Sequence, residues 1–253
     1  MIHHAFDDKT QPVITPELFY GEREKVCDIC IVTFSIHVME EIVKRFSCSK
    51  VAEIGSVNGS HPIYVMEYKG KKIAFYMTKI CSAGTGNCLE EARCLIGAHH
   101  YIIFGSCGAL DLEVGEGKIV VPTWAYRDEG FSYHYVPAAE YIRMKNADRV
   151  EALLHELEVP CVKGRTWSTD ALYRETRGKV ERLKQDGCVA VEMECAGAQA
   201  VCDFHGMELY YFLISGDLLD GEEWDARILG DAVEMDSQVR SFYIALEMAM
   251  RIE

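Results

Sequence analysis

The feature of this sequence that most constrains its fold is the alternation of short apolar runs with longer segments of helical periodicity. Residues 29 to 34 form an almost continuous apolar run, as do residues 101 to 104 and 209 to 214, which is typical of buried strands. Between the first two runs, apolar residues recur at the spacing of one helix face over residues 39 to 46. Strands that alternate with helices predict an α/β fold, in which a mostly parallel or mixed sheet carries helices on both faces.

The chain is long enough to bury the core of one large α/β domain. It has 253 residues, 49% of which are hydrophobic, and its six prolines are scattered without a low-complexity stretch. Residues 1–24 are polar and irregular, and the alternating pattern begins after them. We therefore predict an N-terminal arm over residues 1–24 and a single domain over residues 25–253.

The charge of the chain argues against nucleic acid or an anionic membrane as its main partner. It has 26 Lys and Arg residues against 40 Asp and Glu residues, for a net charge of −14. No apolar run is long enough to span a bilayer and no signal peptide is recognisable, so we expect a cytoplasmic protein with its eleven cysteines reduced. Cys27 and Cys30 form a lone CxxC pair without a second ligand pair nearby, which predicts no zinc and no other metal.

Polar clusters follow the apolar runs at three predicted strand ends. They are residues 105–108 (Gly-Ser-Cys-Gly), residues 192–194 (Glu-Met-Glu) and residues 215–220, which begin with Ser-Gly-Asp. In open α/β sheets, ligands bind beyond the carboxyl ends of the strands. We therefore predict that these three clusters meet in one binding site.

The acidic residues of these clusters allow two interpretations from chemistry alone. Glu192 and Glu194 are two residues apart, so in an extended segment they share a face, and a carboxylate accepts two hydrogen bonds from a cis-diol such as that of ribose. Acidic residues also occur at helix N-termini, where the helix dipole favours them. Asp217 is similarly ambiguous, because a carboxyl group at a strand end is suited to general acid catalysis and also to capping the next helix.

Four motifs, in this order, resemble those of the nucleoside phosphorylase family, which also includes uridine phosphorylases and adenosylhomocysteine-type nucleosidases. They are GSCGA at residues 105–109, WSTDALY at 167–173, VEMECAG at 191–197 and SGD at 215–217. The resemblance covers about residues 27 to 250, and segments such as GEEWDAR are similar to a branch usually described as uridine-phosphorylase-like. It implies a single three-layer αβα domain with a mixed, partly barrel-like sheet flanked by helices, assembled as a homodimer or homohexamer.

The resemblance also implies a role for each matching residue. Glu194 would bind the ribose hydroxyls, Met193 would pack on the sugar, and Glu192 would lie beside it. Asp217 would protonate a leaving purine, so that Asp217 and Glu194 are the catalytic residues, and Ser106 would hydrogen-bond phosphate. The residues that would contact the base are Cys107, Gly108, Leu172, Tyr173 and Arg174.

The sequence departs from the family pattern mainly at the residues that hold phosphate. Residues 33–38 stand where typical phosphorylases have a Gly-Asp-Pro segment with an arginine, and two further expected arginines are replaced by Gly59 or a near neighbour and by Ile103. Guanidinium groups normally hold phosphate because they match it bidentately. The candidate replacements are Lys79, Arg127, Arg174 and the glycine-rich turn over residues 82–87.

The function that the resemblance implies is that of a nucleoside phosphorylase. Such an enzyme cleaves the N-glycosidic bond of a purine nucleoside or uridine with phosphate as co-substrate, yields free base and (deoxy)ribose 1-phosphate, and needs no other cofactor. Leu172 stands where the family often has a base-stacking phenylalanine, and residues 174–177 lack the glutamine that uridine-cleaving members use. Because the phosphate arginines are absent, a hydrolytic nucleosidase and a non-catalytic nucleoside-binding protein stay open as alternatives.

Overall fold

The computed structural model of the chain describes residues 2–57, 59–112, 114, 118–221 and 223–252. The helices in these ranges are α1 (Pro16–Tyr20), α2 (Ile36–Arg45), α3 (Ser82–Ile96), α4 (Ala147–Glu156), α5 (Arg177–Gln185), α6 (Cys195–His205) and α7 (Ala232–Ala249). The strands are β1 (Ile29–Thr33), β2 (Cys48–Ile54), β3 (His61–Tyr68), β4 (Lys71–Met77), β5 (His100–Ala109), β6 (Ile119–Asp128), β7 (Tyr141–Arg143), β8 (Cys161–Thr169), β9 (Cys188–Glu192) and β10 (Glu208–Leu218). Short 3₁₀ turns lie at Ile2–His4, Ser132–His134 and Leu172–Arg174.

The ten strands of the described chain form one mixed sheet that closes on itself over half of its strands. Strands β10, β6, β8, β9 and β5 follow one another around a ring, and pairing of β5 with β10 closes it. The remaining strands extend from β5 in the order β1, β4, β3 and β2, while β7 pairs with β6. Strand β5 runs parallel to both β1 and β10. This arrangement confirms the predicted single α/β domain with a mixed central sheet flanked by helices.

The centre of the sheet is apolar on both faces, as is typical of strands that are covered by helices on both sides. All five residues of β1 are buried. Phe242 of α7 packs its ring against Phe75 of β4 and Phe104 of β5, at centroid distances of 5.4 and 6.4 Å. Rigid packing of this kind holds the carboxyl ends of the central strands in place.

Helices α3 and α6 cross closely because α6 has a glycine at the contact. A Cβ atom at Gly197 would lie only 2.5 Å from the Cβ atom of Ser82, so a larger residue would push the two helices apart. The hydroxyl of Ser82 also donates a hydrogen bond to the carbonyl of Met193 at 3.2 Å. This contact brings the N-terminal turns of both helices to the same edge of the sheet, next to Glu194.

Two predicted strand ends are wrong. Residues 118–121 have the pattern of a strand and are followed by Pro122, which predicts that the strand stops there, whereas β6 continues to Asp128. Proline has no N–H to donate, and the register of β6 against β8 shifts between Pro122 and Ala125, which accommodates the missing donor. Strand β5 likewise runs through residues 105–108 and ends at Ala109, because its pairing with β10 continues there.

The predicted N-terminal arm lies partly against the domain. The hydroxyl of Tyr20 in α1 donates a hydrogen bond to the carboxylate of Glu91 in α3 and accepts one from the N–H of Gly55 at 3.1 Å. Glu17 forms an ion pair with Arg93, also in α3, at 3.1 Å. These contacts anchor helix α1 on helix α3.

All eleven cysteines lie within the described residues and are free thiols. None of the helices in the described part of the chain combines the length and the apolar character that a membrane crossing requires. The cytoplasmic location and the homo-oligomer stay predictions.

Candidate active site

A cavity of about 320 Å³ lies at the carboxyl ends of β1, β5, β9 and β10. It is lined by residues of all three polar clusters that the sequence predicts to meet. The predicted site residues among its lining residues are Ser106, Cys107, Gly108, Leu172, Glu192, Met193, Glu194 and Asp217. We name three polar regions of this cavity after one lining residue each, as the Glu194 end, the Asp217 end and the Ser106 end.

The carboxylate of Glu192 is satisfied by the protein itself and caps helix α6. Its Oε2 atom accepts hydrogen bonds from the backbone N–H groups of Glu194 and Cys195, each at 2.6 Å. Its Oε1 atom accepts hydrogen bonds from the hydroxyls of Ser168 and Thr166. Glu192 is 4% exposed. The interpretation as an acidic residue at a helix N-terminus therefore describes Glu192, and its contact with the sugar stays a prediction.

Glu194 faces the same cavity with fewer partners. Its Oε1 atom accepts a hydrogen bond from the backbone N–H of Cys81 at 2.7 Å, and the residue is 7% exposed. Burial and, to a smaller extent, the charge of Glu192 raise the pKa of Glu194 to about 8, although the hydrogen bond from the N–H of Cys81 lowers it. A buried carboxyl group with remaining acceptor capacity is suited to the hydroxyls of a sugar.

Cys81 presents its N–H to Glu194 from a strained backbone conformation. Its φ of 67° and ψ of 155° lie in a region that glycine adopts readily and other residues rarely. The strain is localised where α3 begins and where the Glu194 end receives its backbone donor.

At the Asp217 end, a carboxyl group lies directly over a glycine. A Cβ atom at Gly108 would lie 2.5 Å from Cδ1 of Leu219 and 3.2 Å from Oδ1 of Asp217, so a larger residue here would displace the side chains that pack on it. Oδ2 of Asp217 accepts a hydrogen bond from the indole N–H of Trp224 at 2.7 Å. Burial raises the pKa of Asp217, and the Trp224 hydrogen bond opposes that shift. A raised pKa keeps a carboxyl group protonated closer to neutral pH, as a general acid requires.

Of the three predicted base-contacting residues in the 3₁₀ turn after β8, Leu172 lines the cavity and the other two do not. Side chains three residues apart lie above one another in such a turn, and Leu172 and Glu175 both line the cavity. Tyr173 is 95% exposed, and Arg174 is exposed as well. Neither Tyr173 nor Arg174 lines the described cavity, because the geometry of the turn directs them away from it.

At the Ser106 end, the hydroxyl that the sequence predicts to bind phosphate is hydrogen-bonded to a carboxylate. Ser106 Oγ donates a hydrogen bond to Glu234 Oε1 at 2.5 Å, and Gln238 Nε2 donates to the same two oxygens at 3.3 Å each. Glu234 is buried in the first turn of α7, and its Oε2 atom accepts a hydrogen bond from the N–H of Gly230. The ring of Phe34 packs on Gly105, where an added Cβ atom would meet it at 2.9 Å.

Like Arg174, the other two cationic residues that are predicted to hold phosphate, Arg127 and Lys79, do not line this cavity. Arg127 is 4% exposed and lines a second cavity of about 340 Å³ with Tyr133 and Glu140. Its guanidinium group donates to Ser132 Oγ at 2.7 Å and to the carbonyl of Pro137 at 2.8 Å, and lies 3.9 Å from the centre of the Tyr133 ring. These contacts hold the Arg127 side chain at the second cavity.

Lys79 packs against the start of helix α3. A Cβ atom added at Gly84 would lie 2.9 Å from Lys79 Cβ, and the carbonyl of Lys79 accepts a hydrogen bond from the hydroxyl of Thr85 at 2.8 Å. This packing accounts for the position of Lys79 outside the residues that line the cavity.

Sequence reasoning missed Glu175, Glu234, Phe34 and Trp224 as residues of the site or its border. Glu175 was detectable, because it lies three residues after Leu172 in a predicted site segment. Asp231 and Glu234 have the spacing of a capping pair, and Asp231 does accept a hydrogen bond from the N–H of Glu234 at 2.9 Å. That pattern predicts a helix start and carries no signal of the contact with Ser106. In the described part of the chain, no group of three or more His, Cys, Asp or Glu side chains is arranged to hold a metal ion.

A family model described as the phosphorylase superfamily matches residues 28–243. This chain belongs to that superfamily. The match covers most of the chain, including every residue that lines the cavity, and it confirms the predicted family.

Several relatives of this phosphorylase-superfamily chain by sequence are named as phosphorylases. It is 27% identical to the guanosine phosphorylase of Halorubrum lacusprofundi over 180 residues, which are 68% of this chain and 72% of that protein. It is 26% identical to the DeoD-type purine nucleoside phosphorylase of Bacillus subtilis over 166 residues, which are 63% of this chain and 70% of that one.

Solved structures with the same fold carry the names of hydrolytic enzymes. A mutant of the futalosine hydrolase of Helicobacter pylori superposes with a TM-score of 0.72 at 17% identity, over 90% of this chain and 100% of that chain. The 5'-methylthioadenosine/S-adenosyl homocysteine nucleosidase of Campylobacter jejuni superposes with a TM-score of 0.71 at 17% identity, over 89% and 100% of the two chains. At this level of identity, the similarity establishes the fold that the superfamily chain shares with them.

Proposed function

We propose that the chain cleaves the N-glycosidic bond of a purine nucleoside and that water, rather than phosphate, is the nucleophile. The observation that carries this proposal is the charge of the cavity. Among the described residues that line it, four carry carboxyl groups and none is Lys, Arg or His. A phosphate dianion normally needs guanidinium or ammonium partners, and the described residues that line the cavity supply none. An uncharged water molecule needs no such partner.

The Ser106 end supports the same conclusion. Its hydroxyl proton is committed to the carboxylate of Glu234, which is buried and also receives Gln238 Nε2 and the N–H of Gly230. A phosphate at Ser106 would have to break this hydrogen bond and then lie against the negative charge of Glu234. The ring of Phe34 adds no donor.

The other two ends supply the groups that hydrolysis needs. Glu194 would accept hydrogen bonds from the ribose hydroxyls and, once ionised, stabilise the positive charge that develops on the sugar. Asp217 would donate its proton to the departing base nitrogen. The C1′–N bond breaks, the oxygen of water bonds to C1′, and the proton that the water loses passes to solvent, so that the products are free base and free ribose.

Phosphorolysis is the second candidate, and the names of the relatives by sequence support it. It would yield ribose 1-phosphate from the same sugar and base contacts. In that case, phosphate would need cationic groups beyond the described residues that line the cavity, or displacement of Glu234 from Ser106.

The experiment that tests the proposal is a product assay on adenosine, guanosine, inosine and uridine, each with and without phosphate. We expect free base and reducing sugar from purine nucleosides, at a rate that phosphate does not increase. Ribose 1-phosphate formed only when phosphate is present would overturn hydrolysis in favour of phosphorolysis. Thermal stabilisation by nucleosides without any turnover would instead indicate a nucleoside-binding protein.

A further inference from the structure

Hydrolysis needs a group that takes a proton from the attacking water, and the four carboxyl groups that line the cavity are not placed for this role. Under the proposed function, Glu194 binds the sugar and Asp217 serves the departing base. Glu192 already accepts four hydrogen bonds from the protein, which use the acceptor capacity of its two oxygens. Glu175 lies close enough to Asp217 to be affected by its charge, so it belongs to the end from which the base departs.

The hydroxyl of Ser106 lies between the cavity and a fifth carboxyl group. Ser106 lines the cavity, whereas Glu234 is 6% exposed and is not one of the described lining residues. Ser106 Oγ donates a hydrogen bond to Glu234 Oε1 at 2.5 Å. The other described partners of this carboxylate are also donors, namely Gln238 Nε2 at 3.3 Å and the N–H of Gly230. Glu234 Oε1 is therefore the acceptor toward which the Ser106 proton points.

The Ser106 hydroxyl keeps one position for a water molecule. A hydroxyl group has one proton and two lone pairs. Its proton goes to Glu234, and one lone pair receives Gln238 Nε2 at 3.3 Å. The second lone pair can accept a hydrogen bond from a water molecule in the cavity. Such a water molecule can pass a proton to Ser106 Oγ while the hydroxyl proton moves on to Glu234.

The spacing along β5 leaves room for the reacting carbon between this hydroxyl and the acid. Ser106 and Gly108 both line the cavity and are two residues apart on the strand, which separates them by about 6.6 Å. Oδ1 of Asp217 lies over Gly108, at 3.2 Å from the position of an added Cβ atom. Enzymes that hydrolyse glycosidic bonds by direct attack of water hold their acid and base on opposite sides of the bond, with space for the water. Ser106 and Asp217 flank a space of this kind.

We propose that Ser106 and Glu234 form a proton relay that activates the attacking water, with Glu234 as the final proton acceptor. The relay rests on the proposed function, because it has a role only if water is the nucleophile. The water oxygen bonds to C1′ as the C1′–N bond breaks, one water proton passes to Ser106 Oγ, and the Ser106 proton passes to Glu234 Oε1. Asp217 supplies the proton that the departing base takes up. Ser106 is unchanged after the step, and Glu234 then releases its proton to solvent.

An anionic nucleophile distinguishes this relay from a structural role of Glu234. Azide attacks C1′ without losing a proton, so it needs no proton acceptor. In the wild-type protein, the carboxylate of Glu234 next to Ser106 opposes the entry of an anion. A glutamine at this position removes both the proton acceptor and that opposition. A loss of hydrolysis that azide restores is therefore the signature of the relay.

The test is Glu234→Gln, assayed with and without sodium azide on the purine nucleoside that the wild-type protein cleaves fastest. We expect kcat for hydrolysis to fall by about 10²-fold with KM changed by less than about threefold, because the variant lacks the proton acceptor. Azide should raise base release in the variant by about tenfold or more and yield α-ribosyl azide, whereas it should leave the wild-type rate unchanged. Asp236→Asn removes a negative charge at an exposed position of the same helix and is the matched control.

Ser106→Ala is the second variant, because it interrupts the relay and keeps the charge of Glu234. We expect a similar decrease in kcat and no restoration by azide. Thermal unfolding of each variant shows that it is folded under the assay conditions.

The outcomes separate this inference from the proposed function. If the wild-type protein releases no free sugar in phosphate-free buffer, the proposed function fails and the relay fails with it. If the wild-type protein hydrolyses nucleosides and Glu234→Gln retains its kcat within about twofold, the relay is overturned while hydrolysis stands. A decrease in kcat that azide does not restore in Glu234→Gln overturns the relay equally.

Discussion

The Glu194 end and the Ser106 end of the cavity each contain a carboxyl group, and the two groups differ in the hydrogen bonds that they leave available to a ligand. At the Glu194 end, a buried carboxyl group receives a backbone N–H from Cys81 and keeps acceptor capacity toward the cavity. At the Ser106 end, the carboxylate of Glu234 takes up the hydroxyl proton that an anionic ligand would need. Under the proposed function, the Glu194 end accepts hydrogen bonds from the hydroxyls of the sugar, and the Ser106 end disfavours an anion. On that proposal, the site keeps the sugar-binding half of a phosphorylase and loses its phosphate-binding half.

The largest effect expected at the Glu194 end is the loss of activity in Glu194→Ala. Removing this side chain removes the acceptor for the sugar hydroxyls and the negative charge that stabilises the transition state. We expect kcat/KM for base release to fall by about 10²–10³-fold. Initial rates on each cleaved nucleoside measure it, with Glu140→Ala as an exposed control. Full activity of Glu194→Ala on every nucleoside would show that this end does not bind the sugar.

The support of the Glu194 end is tested by Glu192→Gln, which we expect to act on stability. The amide has one acceptor oxygen in place of two, so its NH₂ group would face either the backbone N–H groups of Glu194 and Cys195 or the hydroxyls of Ser168 and Thr166, and the hydrogen bonds to a charged acceptor would be lost. The free energy of unfolding is expected to decrease by about 2–4 kcal/mol. Urea denaturation measures it. A midpoint within error of the wild-type value would mean that Glu192 does not hold helix α6 in place.

The burial of Glu194 is tested by the pH dependence of stability in Glu194→Gln. The pKa of Glu194 is raised from 4.5 to about 8 in the folded protein, so between these values the folded state holds a proton that the unfolded state has released. The contribution of this group is therefore fully present below about pH 4.5 and is lost as the pH rises through about 8. Relative to wild type, Glu194→Gln should gain about 1–3 kcal/mol of unfolding free energy between pH 5 and pH 9.

Urea denaturation of both proteins at pH 5, 6.5, 8 and 9 gives this difference, in which the other titrating groups largely cancel. A constant difference over the whole range would contradict the raised pKa.

The smallest effect is expected in phosphate binding at the Ser106 end, where Glu234→Gln removes the negative charge and keeps the size of the side chain. We expect phosphate affinity to rise by about fivefold, which corresponds to about 1 kcal/mol. Phosphate titration by thermal shift measures it, with Glu140→Gln as the control. If phosphate binds equally weakly to the wild-type protein and to Glu234→Gln, the weak binding of phosphate at this end has a cause other than the charge of Glu234.

Local sequence patterns predict most of the central sheet and miss its exposed parts. The apolar run at residues 29–34 corresponds closely to β1, because a strand buried on both faces has no alternative pattern. Strand β2 (Cys48–Ile54) is not predicted, because it lies at the edge of the sheet and most of its residues are exposed or half-exposed. Helix α5 is missed for a similar reason, since only Val180 and Leu183 among its residues are buried.

The candidate site is predictable where its residues follow strands and unpredictable where it depends on distant contacts. The Glu-Met-Glu and Ser-Gly-Asp segments are identified from strand ends and family resemblance, and both line the cavity. The same pattern does not distinguish Glu192 from Glu194, because the distinction depends on Ser168 and Cys81 from other elements. The pairing of Ser106 with Glu234 joins residues that are 128 positions apart, and no local pattern carries it.

The closure of the ring by β5 and β10 has a consequence for how the site forms. These strands pair along residues 100–109 and 208–218, so the contact that brings Ser106 and Cys107 beside Ser215 and Asp217 spans about a hundred residues of chain. Contacts between distant segments form slowly during folding, because a long loop must close before they contribute. During synthesis on the ribosome, the Glu-Met-Glu motif emerges before β10. The cavity therefore forms late in synthesis, and a nascent chain contains this motif before its binding cavity is complete.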